Sequence, residues 1–408
     1  VNRLALNASS PADGGGPRLL VVAGSCPWPP TSGGKIDTFG RLRALRELGV
    51  RLEVVMTVKE EAEARSRSLK EHLGLDACYV VRRRRTLARA LHPVWPFQVT
   101  SRGGKAWEAL GAAVAARPFR AVLAEGAYVF PMSAALAHYL QVPLLHRVHN
   151  LESRYFLSLG QSERSLAKKV FFYLEALRFR RLERRMFQEA VNLCISTEEW
   201  QDLEAVSPGR NYWLPPALAH FPSAGVTPRP EPGRRFLITG SLGLPDTWHG
   251  VQWFLERVWP RIHRRRPEAV LTIAGRRPEA GRAAYLENLA DIRAVFDVPD
   301  MTPLFQEADI FVSPMLHGAG VKIKTVEALA FGLPVVATPV AAQGCGLEHG
   351  NHLLIATGAE DFGRACLQLA EDPALRAALG ERGRAYVQAA FDQKAHLRRL
   401  LGDLDLLG

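Results

Sequence analysis

The sequence predicts an α/β protein built from two doubly wound, Rossmann-like domains whose strand ends face an interdomain cleft. Three observations lead there. A strand, Gly loop, helix and strand follow one another near the start; the same alternation begins again at residue 235; and a Pro-rich stretch lies between the two runs. The 408 residues suit about two or three domains of roughly 150 residues.

The first domain opens at residues 18–24, a short apolar run closed by Gly24 that reads as a buried strand. A Pro- and Gly-rich loop covers residues 26–34. Between residues 35 and 48, apolar residues recur three apart at Ile36, Phe39, Leu42, Leu45 and Leu48, which predicts a helix stopped by Gly49. Residues 51–58 form the next strand. Such a βαβ unit implies a parallel sheet with right-handed crossovers. Residues 1–17 are polar and Gly-rich and read as a flexible tail.

In the second domain the pattern predicts strands at 235–240, 269–275, 294–298, 310–314 and 334–338. Helices are predicted at 249–263, around 303–307, and in a segment ending at Phe331. Residues 208–234 hold seven prolines. The expected division is therefore a tail 1–17, an acceptor domain 18–214, a linker 215–234, a donor domain 235–385, and a C-terminal helix within 386–408 packing back on the first domain. A long helix over 171–190 gathers Phe171, Phe172, Phe179, Leu182, Met186 and Phe187 on one arc, and Arg178, Arg180, Arg181, Arg184 and Arg185 on the other. It reads first as a core helix with solvated arginines, and second as a helix lying on an anionic membrane. Glu175 and Glu183 fall within the apolar arc and require partners.

Composition narrows the class. At 47% hydrophobic and 23% charged residues, the chain is neither disordered nor fibrous. A formal charge of +11 favours anionic partners without choosing among nucleic acid, membrane and phosphorylated substrates. Five scattered cysteines with no C-x-x-C pair argue against a disulfide framework and a structural zinc. No apolar run reaches the roughly 18 residues of a membrane span, and the first residues do not resemble a signal peptide. The expectation is a cytoplasmic protein, with peripheral contact at the inner membrane face left open.

The chemistry concentrates in residues 313–342, SPMLHGAGVKIKTVEALAFGLPVVATPVAA. A strand ends at Pro314, and a loop containing Gly318 and Gly320 presents Lys322 and Lys324. A helix then runs to Phe331, capped by Gly332. Backbone N–H groups at such a loop and helix start bind anions, aided by the helix dipole. Glu327, one turn in, can accept hydrogen bonds from sugar hydroxyls. The pattern suits a nucleoside diphosphate and its ribose.

The run GAGVKIKTVEALAFGLPVVAT resembles the C-terminal signature of retaining glycosyltransferases of the GT-B fold, glycosyltransferase family 4 and its close relatives. The likeness extends to Gly33-Gly34, to Arg147-Val-His-Asn-Leu-Glu152, to Leu182-Glu183 with Cys194-Ile-Ser-Thr197, and to Thr239-Gly-Ser241. The resemblance implies transfer of a sugar from a nucleotide-diphosphate donor to an acceptor hydroxyl with retention, by a hexosyltransferase-like enzyme without metal or cofactor. It places Glu327 on the donor ribose, Lys322 and Lys324 near the diphosphate, and Gly33, Gly34, Ser241 and Gly320 along the donor. Val298 and Asp300 border the nucleobase, and His149 faces the transferred sugar as the catalytic partner of Lys322. On the acceptor side it suggests Trp28, Arg147 and Glu152, with His146 and Arg147 less certain in role. Two departures stand out: Ala319 occupies the position of a second glutamate, and Gly240-Ser-Leu-Gly243 lacks a basic residue. Lys322 is therefore expected to take more of the diphosphate charge.

Alternatives on the same fold are a nucleotide-sugar epimerase and a glycan phosphorylase, although no lysine suggests itself as a pyridoxal phosphate anchor. A non-enzymatic basic protein binding membrane or nucleic acid would leave Glu327 and the Gly loops unexplained. Acceptors within reach of the reading are a glycan, a lipid-linked intermediate, a natural product or a protein; nucleic acid is not among the expected partners.

Overall fold

The computed structural model describes residues 15–30, 32–58, 63–102, 106–163, 165–218, 222, 225–318 and 320–406. The chain divides at 219/220 and 392/393 into two compact units, the residues from Gln393 onward grouping with the first.

In the first unit, strands β1 (Arg18–Ala23), β2 (Arg51–Val58), β3 (Ala77–Arg82), β4 (Phe119–Glu125), β5 (Leu144–Val148), β6 (Val191–Cys194) and β7 (Asn211–Trp213) form one sheet in the order β3-β2-β1-β4-β5-β6-β7. Every ladder is parallel, with Val21 opposite Val54 on one side and Leu123 on the other. Helices cover both faces of such a sheet, so β1 is buried throughout and its sequence is continuously apolar rather than alternating. Leu20, Val22, Phe130 and Phe179 sit in the core on one face, and Leu19, Val21, Leu42 and Leu45 on the other. The strand order reverses direction between β1 and β4, which opens a crevice at their carboxyl ends. The first helix runs Gly33–Glu47. It ends where Gly49 takes φ +83°, a conformation glycine adopts without a Cβ penalty, and donates its N–H to the Arg46 carbonyl.

Strands β8 (Arg235–Ser241), β9 (Val270–Arg276), β10 (Ile292–Phe296), β11 (Ile310–Ser313), β12 (Val335–Ala337) and β13 (Leu354–Ile355) form the second sheet, ordered β10-β9-β8-β11-β12-β13 and also parallel. Its reversal lies between β8 and β11. Phe236, Ile238, Val251, Phe254 and Phe362 belong to its core. The helix after β8 starts at Pro245, earlier than the apolar spacing suggests, and passes through one π-helical turn at Phe254–Val258.

The Pro-rich stretch is not a free linker over its described length. Leu214 N–H donates to the Cys194 carbonyl, and Pro215 accepts from Gln393 Nε2, both within the first unit. Val226 N–H donates to Phe331 O at 2.7 Å and Gly233 N–H to Ala370 O at 2.8 Å, within the second. Proline fixes φ without a donor, so these strands of coil are held by the few N–H groups that remain. The helix Pro373–Ala390 belongs to the second unit, and Gln393–Asp403 to the first, where Leu397, Leu400 and Leu401 join the cluster around Leu42. Of the tail 1–17, residues 1–14 lie outside the described residues, as does Ala319.

The long helix runs Leu166–Glu189. Phe179, Leu182, Met186 and Phe187 are buried, as a core helix requires. Glu175 accepts from Phe97 N–H and pairs with Arg178 at 2.8 Å, and Glu183 accepts from Ser153 N–H at 2.9 Å. Arg178 thus leaves the solvated arc to neutralise a buried carboxylate. No described helix is long and apolar enough to cross a membrane. All five cysteines are free and buried.

Candidate functional site

In the second unit, β8 and β11 deliver their carboxyl ends to the reversal of the sheet. Gly250 lets the helix Pro245–Trp253 lie flush against the end of β11: a Cβ there would stand 2.3 Å from the Pro314 carbonyl oxygen. The loop after β11 then turns through Gly318 (φ +111°) and Gly320 (φ +71°), conformations open to glycine at no steric cost. It enters the helix Ile323–Ala330 with Lys322 as the capping residue and Ser313 Oγ 2.9 Å from Thr325 Oγ1 beneath the first turn.

Both lysines bend back over this junction. Lys322 Nζ donates to Gly320 O at 2.7 Å and Gly318 O at 3.2 Å. Lys324 Nζ lies 3.0 Å from Met315 Sδ and 3.1 Å from where a Cβ on Gly240 would be. The basic residue missing after β8 is therefore replaced in space by Lys324, which reaches the same strand end from the other side of the reversal. Among the described residues no carboxylate pairs with Lys324. Burial, then the neighbouring Lys322 charge, push Lys324 down to about 8; burial also lowers Lys322. Two half-buried ammonium groups at a loop–helix junction, with Asp246 acting on Lys322 and no carboxylate on Lys324 among the described residues, are an arrangement suited to an anion.

Ser241 closes β8 beside these lysines, and Glu327 lies half-buried one turn along the helix. Val298 and Asp300 follow β10, two strands away and roughly 10 Å along the edge. Val298 is half-buried, while Asp300 is exposed and accepts from Thr302 N–H at 2.9 Å.

The first unit holds a different arrangement at its own reversal. Arg41 makes two bonds to each of two carboxylates: 3.0 and 3.0 Å to Asp37, 2.8 and 2.6 Å to Glu125. Arg147 donates to Asp37 at 3.0 and 3.1 Å and to the Leu214 carbonyl. Thr38 Oγ1 and the Ala217 N–H supply further donors to Glu125 and Asp37. Asp37, Arg41 and Arg147 have no exposed surface at all. Burial acts to raise the Asp37 pKa, but Arg147 and Arg41 outweigh it and hold the carboxyl well below the usual range. Glu125 is lowered too, Arg41 overcoming its burial.

His149 crowns this cluster. Its Nε2 stands 3.5 Å from Asp37 Oδ2 and 3.8 Å from Glu125 Oε2, and its side chain remains 24% exposed. Gly126, with φ +94°, makes room: a Cβ there would meet His149 Nδ1 at 3.2 Å. Gly33 and Gly34 begin the helix that carries Asp37 and Arg41, and both are exposed.

The expected acceptor-side residues fare differently. Arg147 does not face a ligand; it is wholly buried and spends its guanidinium on Asp37. Glu152 is also buried, accepting from Tyr128 Oη at 2.7 Å, and burial raises it to about 7. Trp28 packs against Phe39 and His72, with ring centroids 5.3 and 4.0 Å away. His146 is internal, and burial pushes it down to about 3. Sequence reading passed over Asp37, Arg41 and Glu125. The one local signal was an Asp–Arg pair four apart on an otherwise apolar helix face.

Residues 233–372 match the family of glycosyl transferases group 1. The match lies within the second unit and carries its likeness to group 1 glycosyl transferases. Its lysine-bearing junction lies inside the matched span. Over 397 residues the chain is 26% identical to an uncharacterized 44.6 kDa protein in the cps region of Klebsiella pneumoniae, covering 92% of this chain and 97% of that one. Among solved structures it is similar to HepE of Anabaena, determined with UDP and glucose (TM-score 0.63, 14% identity, 95% and 99% of the two chains). It is also similar to sucrose-phosphate synthase of Thermosynechococcus elongatus (TM-score 0.65, 17% identity, 95% and 98%). Two parallel, doubly wound sheets and a likeness along nearly the whole chain to these structures give the GT-B fold.

Proposed function

We propose that the protein moves a sugar from a uridine-diphosphate donor to an acceptor hydroxyl, with retention at the anomeric carbon and without a divalent metal. The observation that carries this reading is the pair Lys322 and Lys324 at the loop–helix junction, with Lys324 uncompensated beside Gly240. Cleaving the sugar–phosphate bond leaves negative charge on the departing diphosphate. Fixed ammonium groups and helix N–H donors stabilise that charge as it develops, the task a metal performs elsewhere. Glu327 would take the ribose hydroxyls, Ser241 and Gly320 would line the phosphates, and Val298 with Asp300 would border the base. Uridine is chosen because HepE has been solved with UDP and with UDP-glucose.

Retention follows from the other unit's chemistry in this reading. Asp37 and Glu125 are clamped by arginines and held as weak bases, so the leaving phosphate takes the acceptor proton on the face it departs from. Gly33 and Gly34 would let backbone approach the phosphate, and His149, oriented by Asp37, would support the sugar. One distance favours a second reading: at 3.5 Å from Asp37 Oδ2, His149 could serve as the base itself, and inversion would result. The anomeric proton coupling of the product distinguishes the two.

Calorimetric titration with UDP, GDP, ADP and dTDP, with and without EDTA, tests the donor site. UDP alone should saturate, EDTA should change nothing, and Glu327→Gln should weaken binding about tenfold or more, the loss of roughly one charged hydrogen bond. Affinity should also fall above pH 8. Lys324 is protonated below about 8 in the free protein, and an anion binds that form. The last phosphate of UDP, with a pKa near 6, is about nine-tenths ionised at pH 7 and its uracil loses a proton only above about pH 9, so a loss between pH 8 and 9 belongs to the protein and approaches about tenfold per pH unit. A flat profile from pH 7 to 9.5, or binding abolished by EDTA, would refute the reading.

A further inference from the structure

A cavity of about 430 Å³ opens in the first unit between the segment around residues 89–102 and the helix Phe130–Leu140. Its wall is almost wholly apolar, with Trp95, Trp107 and Met132 among its residues, yet Arg102 lines it as well. Arg102 is only 9% exposed. It donates to Gly24 O at 3.1 Å and to Gln98 O and Oε1 at 2.9 and 2.7 Å, and its guanidinium lies 4.7 Å from the Tyr128 ring centre. Among the described residues no carboxylate lies within ion-pair distance of it, and its Nη2 donates to no group. Arg83 shares Gln98 Oε1 at 2.7 Å, and Arg89 donates to the Thr100 carbonyl; neither has a carboxylate partner among the described residues. Two guanidinium groups, Arg89 and Arg102, thus line an apolar cavity with no carboxylate at ion-pair distance among the described residues; Glu152, bonded to Tyr128, acts on Arg102 from farther off, and an anion in the cavity would complete the arrangement.

The cavity adjoins the carboxyl edge of the sheet that holds His149. Gly24 directly follows β1, and Tyr128 and Val129 line the cavity two and three residues beyond Gly126, against which His149 packs. Beside the mouth, Leu91 and Val94 are exposed, alternating with the lining residues Arg89, His92 and Trp95. Arg178 and Glu175 bond this segment to the long helix, whose Val170, Leu174 and Leu177 are also exposed. Two arginines bonded to carbonyl and amide oxygens rather than to carboxylates, in an apolar chamber with an apolar lip, match a ligand that is anionic at one end and hydrocarbon along the rest.

We propose that this cavity is the subsite for the lipid portion of the acceptor, an isoprenoid or acyl phosphate whose chain lies on Trp95, Trp107 and Met132 and whose phosphate meets Arg102. The assignment of the ligand as acceptor rests on the transferase reading above; its binding does not. Farnesyl phosphate, farnesol and inorganic phosphate are titrated calorimetrically into the full chain held at saturating UDP, with UDP titrated alone in parallel. Farnesyl phosphate should bind one per chain, at least tenfold more tightly than farnesol, and inorganic phosphate should give no saturable heat. Ala135→Trp, which fills the cavity, should weaken farnesyl phosphate at least tenfold and leave the UDP affinity unchanged. Arg102→Gln should bring farnesyl phosphate down to the farnesol level. Equal affinity for farnesol and its phosphate, undiminished binding to Ala135→Trp, or no binding of farnesyl phosphate to a chain that binds UDP would each overturn the proposal. Farnesyl phosphate binding to a chain that ignores UDP would uphold the cavity and remove the donor reading instead.

Discussion

Asp37→Asn should lower the stability of the first unit by about 3–5 kcal/mol, the cost of removing one partner from a fully buried ion network. Asn matches Asp in shape, so the packing around the helix Gly33–Glu47 is kept. What is lost is the charge that Arg41 and Arg147 share, both without exposed surface. Two guanidinium groups would then face Glu125 alone. Urea unfolding at pH 7 measures the difference, and a loss under about 1 kcal/mol would mean that other groups neutralise the arginines. The sign of the pH dependence follows from the lowered pKa values of Asp37 and Glu125. Their contribution is complete above about pH 4, the ordinary carboxylate range, and is lost as pH falls toward the depressed folded-state values. The variant should therefore show a flatter acid limb than the parent.

Lys322→Ala and Lys324→Ala should each reduce kcat/KM by about 10² to 10³, the loss typical when one preorganised donor to developing charge is removed. They differ in a second respect. Lys322 is bonded to Gly318 O and Gly320 O, so its removal frees the loop and should raise KM as well. Lys324 lies against Gly240 and Met315 and holds no loop carbonyl, so its removal should leave the loop in place, weaken UDP at pH 7 as deprotonation does in the parent, and erase the decline in affinity above pH 8. Initial rates with a donor panel at pH 7 and 9 test both statements. Activity within threefold of the parent in both folded variants would remove the lysines from the mechanism.

The loop–helix junction proposed for the donor was legible as structure because it is nearly contiguous. Strand, Gly loop, two lysines and helix lie within some twenty residues, and local rules for helix starts and glycine suffice to assemble them. The same rules placed β8 to β12 and the first βαβ unit. Lys324 replacing the absent basic residue after β8 was not legible, since Gly240 and Lys324 meet only through the β8–β11 pairing. The first unit's cluster is less local still. Arg41 and Glu125 are 84 residues apart, and Arg147 and Asp37 are 110 apart. Read singly, Arg147 and Glu152 look like surface polar residues near a sheet end; a seven-stranded sheet buries them by covering that end with further chain. Arg102 was invisible for the same reason, its partners Gly24 and Tyr128 lying far away in the chain.

The sealed quartet of Asp37, Arg41, Glu125 and Arg147 carries two negative and two positive charges, and so sums to zero. A neutral sum constrains how the sequence can drift. A lone replacement that changes charge leaves an odd charge in a dry interior, whereas removing an acid and a base together does not. Positions 37 and 147 should therefore change jointly or stay fixed across descendants of this gene, a linkage between two columns 110 residues apart that neither site's neighbours would suggest.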